Sequence, residues 1–142
     1  YDPKDRSGFV MLFSVLIASL LVAVGLSIFN ITLKEMTIST AGRESQVAFF
    51  AANSGLECAL YWDLQEDAFS NGTTEIQCGN TNYTPQVGDS SFSFNITDDP
   101  NPPCADVTVT KTGVTTVIKS QGTNICNGGR RVQRGLQATI TR

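Results

Sequence analysis

Residues 9–30, FVMLFSVLIASLLVAVGLSIFN, run for 22 positions without a charge. A helix rises ~1.5 Å per residue, so one of this length covers the ~30 Å hydrocarbon core of a bilayer. A soluble fold has little room for such a segment, because its buried helices seldom hold more than ~14 continuous apolar residues. The stretch therefore reads as a membrane-spanning helix. Lys4, Asp5 and Arg6 bound it on one side, Lys34 and Glu35 on the other.

The helical pattern continues past the apolar run. No proline interrupts residues 32–64, and Val47, Ala51, Ser54, Cys58 and Tyr61 recur at spacings of four, three, four and three. That period predicts one face of an amphipathic helix. Leu33, Met36, Phe49, Phe50, Leu56 and Leu60 are expected to add apolar bulk beside this face, with Lys34, Glu35, Arg43, Glu44 and Glu57 off it. Gly25, Gly42 and Gly55 each cost about 1 kcal/mol relative to alanine, which permits a bend without forcing a break. The expectation is a spine of about 55 residues, roughly 80 Å long, lipid-soluble in its first half and bearing a head on its second.

Beyond the membrane segment roughly 110 residues remain, enough for one small domain. Charge is unevenly laid out along them. Residues 57–99 hold eight acids and no base, and residues 100–142 hold six bases against Asp106 alone. The chain has no histidine, the commonest general base and metal ligand. Its four cysteines, Cys58, Cys78, Cys104 and Cys126, all follow the apolar run. In a small domain outside the cytoplasm that number suggests two disulfides, each worth roughly 2–4 kcal/mol. Four cysteines allow three pairings. Cys58 with Cys78 and Cys104 with Cys126 is favoured, because both close short local loops. Zinc is the competing reading, but separations of 20, 26 and 22 residues contain no close pair.

After residue 64 the period changes to two. Residues 73–78 read as a short strand or a loop braced by Cys78. Phe92, Phe94 and Ile96 fall on one face of a strand that Pro100, Pro102 and Pro103 terminate. Val107 and Val109 alternate, Lys111-Thr112-Gly113 reads as a hairpin turn, and residues 114–119 return. Residues 122–129 read as a loop, and Val132, Arg134, Leu136, Ala138 and Ile140 as the last strand, alternating except at Arg134. The predicted fold is α+β: a long N-terminal helix, membrane-spanning in its first half, with a small antiparallel β-sheet of about four strands packed on its second half. The expected organisation is a charged leader (1–8), a transmembrane and assembly half-helix (9–31), an amphipathic half-helix (32–64) and a disulfide-braced β head (65–142).

The leader, YDPKDRSG, is short and polar and has no initiator methionine, so it reads as processed or truncated upstream. The junction Ser7-Gly8-Phe9, a charged leader and a glycine before the phenylalanine that opens the apolar helix, resembles the cleavage junction of type IV prepilins. Residues 42–57, GRESQVAFFAANSGLE, with their Ala48-Phe49-Phe50-Ala51-Ala52 run, are similar to a region of PilX-like minor pilins and atypical pseudopilins. The resemblance covers roughly residues 7–62. It implies cutting by a membrane-embedded prepilin peptidase between Gly8 and Phe9 and methylation of the new terminus. It departs from the family at Phe13, the fifth residue of the implied mature chain, where most pilins carry a glutamate that pairs with the terminal amine of a neighbouring subunit. Its absence argues against the bulk subunit and for a minor, tip or priming one. An ionised carboxylate at membrane depth costs several kcal/mol unless paired, so a subunit without that partner is better off without the acid.

What the resemblance implies is a structural subunit of a type IV pilus or a related secretion or competence filament. Its partners would be other pilin subunits in a helix bundle, the inner membrane, the prepilin peptidase and the pilus assembly machinery. Ala18, Ser19, Ala23 and Gly25 would permit close helix packing. It would sit as a single pass in the inner (cytoplasmic) membrane with its head extracytoplasmic, and at the cell surface after assembly. The alternative is a single-pass anchored extracytoplasmic binding or adhesion domain that never enters a filament. No residue pattern suggests catalysis, and no cofactor or resident metal is expected. A calcium site from Asp89, Asp98, Asp99 and Asn101 matches no known loop spacing. The basic end, Arg130, Arg131, Arg134 and Arg142, lacks the aromatic interleaving of a single-strand binder, so nucleic acid is not an expected partner. It reads instead as drawn to the acidic 57–99 segment. Asn30, Asn71, Asn82 and Asn95 each open an Asn-x-Thr triplet, which this composition explains by chance.

Overall fold

In the computed structural model, which describes residues 6–72 and 75–142, one helix, α1, spans Arg6–Glu66. Residues 1–5 of the expected leader, and Thr73 and Thr74 of the expected first strand, lie outside the described residues. The chain forms two compact units, Tyr1–Thr40 and Ala41–Arg142. In the first, every side chain from residue 8 to residue 40 is exposed, and the apolar ones are no exception. This part of α1 is long and apolar enough to cross a membrane, as in a single-pass membrane protein.

In the second unit α1 meets a sheet. The helix ends where Asp67 takes a left-handed backbone, φ 46°, the one non-glycine residue with positive φ among those described. Its side chain accepts from Ser70 Oγ at 2.8 Å, which steadies that reversal. One short turn, α2 (Ala68–Asn71), follows. A hairpin of β1 (Ile76–Cys78) and β2 (Thr81–Tyr83) precedes a four-stranded antiparallel meander: β3 (Asp89–Asn95), β4 (Cys104–Thr112), β5 (Thr115–Thr123) and β6 (Gln133–Thr141). The architecture is α+β, small antiparallel sheets packed on a long N-terminal helix. β2 was not foreseen, since Thr81, Asn82 and Tyr83 carry no alternating pattern. The β4–β5 turn is the pair Gly113-Val114, two residues later than its expected start, because Gly113 supplies positive φ at the first turn position. Lys111 is thereby left inside β4.

Strand register places Phe92 opposite Val107 and Val109 opposite Ile118, so one face of the meander is apolar. Phe69, Tyr83 and Phe94 surround Phe92, with ring centroids 6.4, 5.2 and 6.3 Å away. The helix face that covers this sheet differs from the predicted stripe. Ala48, Ala51, Ala52, Gly55, Ala59 and Asp63 are buried, whereas Val47, Phe49, Phe50, Tyr61 and Leu64 stand out in solvent. The buried face is the one built of small residues, because the backbones of helix and sheet approach closely there. The reason sits at Gly122. It is not the opening of a loop, as its Gly-Thr-Asn surroundings suggested, but a buried residue of β5 whose missing Cβ would fall on Ala48 O and Ala52 N. Gly55 makes the reciprocal approach, with Ala105 Cβ and Val107 Cγ2 each 2.9 Å from where its Cβ would be.

Disulfides join Cys58 on α1 to Cys78 on β1, and Cys104 at the start of β4 to Cys126 beyond β5, with Cα–Cα distances of 5.9 and 5.7 Å. Each closes a loop of about 20 residues, for which loop entropy gives roughly 3 kcal/mol. The double variant Cys58→Ser with Cys78→Ser is expected to lower the unfolding free energy by about that amount while leaving far-UV helix content unchanged. Urea titration of the full chain in detergent, followed by the single tryptophan, Trp62, reads the loss.

Candidate functional site

Gly8 and Phe9 lie in the first turn of α1, where backbone amides have no intrahelical carbonyl to bind. That turn unwinds at lower cost than any interior one. Among the described residues nothing lies within 4 Å of where a Gly8 Cβ would be, and Phe9 is 72% exposed. Phe13 stands one turn further on. Its ring stacks on that of Phe9, centroids 6.3 Å apart and planes within 12°. An aromatic pair at this spacing makes the start of the helix wholly apolar on that side.

Six hydroxyls between residues 14 and 40 turn inward on their own backbone. Ser14, Ser19, Ser27, Thr32, Thr37 and Thr40 each donate to a carbonyl three or four residues back, at 2.8–3.1 Å. Each thus makes its hydrogen bond without help from water, which suits a surface facing lipid or another helix. At about 100° per residue, Ala18 and Gly25 fall on one flank of the helix and Ser19 and Ala23 on another. The four small residues make two shallow tracks, not one.

The head holds a charged cluster that sequence reasoning missed. Asp63, fully enclosed on the last turn of α1, receives Lys111 Nζ from β4 at 3.1 Å. The same nitrogen lies 2.5 Å from Asp67 Oδ1. Arg142, just past β6, donates to the Asp63 carbonyl at 2.8 Å and stands 3.7 Å from Asp67 Oδ1. The hydrogen bond from Lys111, then that from Ser70, holds the Asp67 carboxyl below its ordinary value of 3.8. Burial pulls the Lys111 ammonium down, but its bonds to Asp67 and Asp63 outweigh that and leave it above 10.5. No periodicity announces such a cluster, whose members are 48 and 44 residues apart in sequence. The one available signal was a lone lysine in an otherwise Val/Thr strand.

Other groupings weighed from the sequence separate in space. Arg130 pairs with Glu44 at 3.7 Å, and Arg134 donates to Ser45 Oγ at 2.7 Å. Arg142 lies at the opposite end of β6 from Arg134, about 26 Å away along the strand, so the basic tail makes no single patch. Arg130 pairs with an acid of α1, Glu44, and Arg142 with Asp67 just past it, the latter alone lying in the acidic 57–99 segment. Asp89 opens β3 while Asp98 and Asp99 follow its far end, so the calcium grouping is not assembled. The chain matches no family model, no curated protein and no solved structure.

Proposed function

We propose that this chain is a structural subunit of a type IV pilus or a related pilus-like filament, and within it a minor, tip or priming subunit. One observation carries the reading. Over residues 8–33 α1 is an entirely exposed, charge-free apolar rod with inward-turned hydroxyls, and the same helix ends beneath a small antiparallel sheet. A rod of that kind is stable only in lipid or against other apolar helices, and moving between the two exchanges one apolar surrounding for another at little cost. A filament subunit needs that reversible transfer. The chain would wait as a single pass in the inner membrane with its head outside the cytoplasm, a compartment that suits its two disulfides. Prepilin peptidase would cut between Gly8 and Phe9, and the Phe9 amine would be methylated. With Phe13 in place of an acid, the subunit brings no charge to pair with the terminal amine of an earlier one, as fits a first subunit. No catalytic step and no cofactor enters this role.

The fate of the Gly8–Phe9 bond tests it. Intact mass and N-terminal sequencing of the protein from membranes, with and without active prepilin peptidase, are expected to show a chain beginning at Phe9, one methyl group heavier, only when the enzyme is active. A chain that retains residues 1–8 in the presence of active peptidase would instead establish a static anchored domain, whose head then needs a ligand of its own.

A further inference from the structure

The cluster around Lys111 contains an oxygen that the assembly role does not use. Asp63 is wholly enclosed, on the same helix face as Ala52 and Ala59, and among the described residues its Oδ2 has no hydrogen-bond partner. Buried carboxylate oxygens are almost always satisfied, so this one calls for a reason. Lys111 Nζ, on a side chain only 13% exposed, touches the other oxygen of the same carboxyl at 3.1 Å. Asp67 Oδ1, 2.5 Å from that nitrogen, is a second carboxylate in contact with it. An amine, a carboxyl and a proton carrier held at contact distance are the three groups that amide condensation requires.

We propose that Lys111 and Asp63 close an intramolecular isopeptide bond, with Asp67 carrying the proton. The ion pair becomes reactive when one proton crosses from Nζ to Oδ1 of Asp63, the oxygen it touches, leaving an amine against a neutral acid. Nζ attacks Cγ, and Asp67 accepts the proton that the nitrogen sheds. The tetrahedral carbon then expels the Oδ1 hydroxyl, which takes that proton from Asp67 and departs as water. One C–N bond replaces one C–O bond, ammonium and carboxylate become amide and water, nothing is oxidised, and Asp67 ends as it began. The unpartnered Oδ2 stays behind as a neutral amide carbonyl, whose burial costs less than that of a carboxylate oxygen.

Two physical terms favour closure. Burial keeps both charges of the ion pair out of water, and the neutral amide removes both. Fixing the partners in place supplies an effective concentration of up to about 10⁵–10⁸ M, which the same condensation between free molecules lacks. The bond would tie the last turn of α1 to β4 across 48 residues, in a place neither disulfide reaches, and reductant would not open it.

The test is intact mass of the full chain, purified in detergent and fully reduced, with protease mapping. The expected result is a mass one water below that of the sequence present, and a joined peptide containing Asp63 and Lys111. Lys111→Arg is expected to restore the full mass, and Asp67→Asn to give full-mass protein that converts slowly or not at all. A wild-type chain at full mass overturns the bond, and so does a water loss that maps elsewhere. Closure of Asp67→Asn at the wild-type rate overturns the role given to Asp67. None of these outcomes depends on whether Gly8–Phe9 is cut.

Discussion

Gly122→Ala is expected to cost about 3 kcal/mol, the upper end of the usual penalty for an overfilled core, while Gly135→Ala costs nothing measurable. The two glycines sit in adjacent strands one residue out of register, since Gly122 pairs with Arg134 and Gly135 with Gln121. They point to opposite faces of the sheet. A Cβ on Gly135 meets nothing within 4 Å, and its φ lies outside the positive range, so alanine there only narrows the unfolded ensemble. A Cβ on Gly122 falls on Ala48 O, Ala52 N and the Ala51 carbonyl carbon. All three are backbone atoms inside α1, which cannot rotate away. Helix and strand must move apart, and every small-residue contact from Ala48 to Ala59 loosens with them. Gly55→Ala should rank between the two, because Ser120, Ala105 and Val107 meet its new methyl with side chains. Urea unfolding of the full chain in detergent, followed through Trp62, orders the three variants. Equal stability of Gly122→Ala and Gly135→Ala would show that the close approach does not exist.

That ranking also explains where sequence reading succeeded and where it failed. The apolar rod was legible because 22 uncharged residues admit few other fates, and β3 because Phe92, Phe94 and Ile96 alternate. Both signals rest on large apolar side chains seeking burial. The helix–sheet contact inverts that rule. There Ala48, Ala52 and Gly55 are buried for their smallness while the larger Phe50 and Tyr61 stay outside. The predicted stripe Val47, Ala51, Ser54, Cys58 and Tyr61 therefore meets the sheet only in its middle, with Ala51 buried and Ser54 and Cys58 half-buried, while its bulky ends Val47 and Tyr61 are exposed. Gly122 was misread for the same reason, since glycine beside Thr123 and Asn124 looks like a turn unless the opposing helix is known. Along the apolar part of α1, Gly8, Phe9 and Phe13 could be singled out from the sequence one by one. The inward hydroxyls and the Phe9–Phe13 stack needed coordinates, and so did the Lys111 cluster, because ionic partners in distant elements leave no local pattern.

Compared in the open, full-mass form in which Lys111 and Asp63 are still an ion pair, Lys111→Ala is expected to destabilise the head by about 3–5 kcal/mol, the range for stranding one partner of a buried ion pair. Asp63 is fully enclosed, and Lys111 is the only charge that meets its side chain among the described residues, so solvent screening softens little of the loss. Asp67 adds little to this figure, since its side chain is 46% exposed and a pair that open to water is worth at most about 1 kcal/mol. The second variant that identifies the cause is Lys111→Met combined with Asp63→Leu. Replacing both ends with apolar groups leaves no orphan charge, so this double variant is expected to be more stable than Lys111→Ala by at least about 2 kcal/mol. If it is no better, the loss came from packing of the lysine stem and not from charge. The pH dependence of the clamp follows from the two shifted groups. Asp67, held below 3.8 in the folded chain, contributes fully above that value and loses its contribution as pH falls through its folded pKa. Lys111, held above 10.5, contributes fully below that value and loses it as pH rises through its own. Between about 4 and 10.5 the stability difference between the open, full-mass wild-type form and Lys111→Ala should therefore be flat, narrowing outside that window at both ends. A difference that sloped steadily across neutral pH would assign the clamp to other groups.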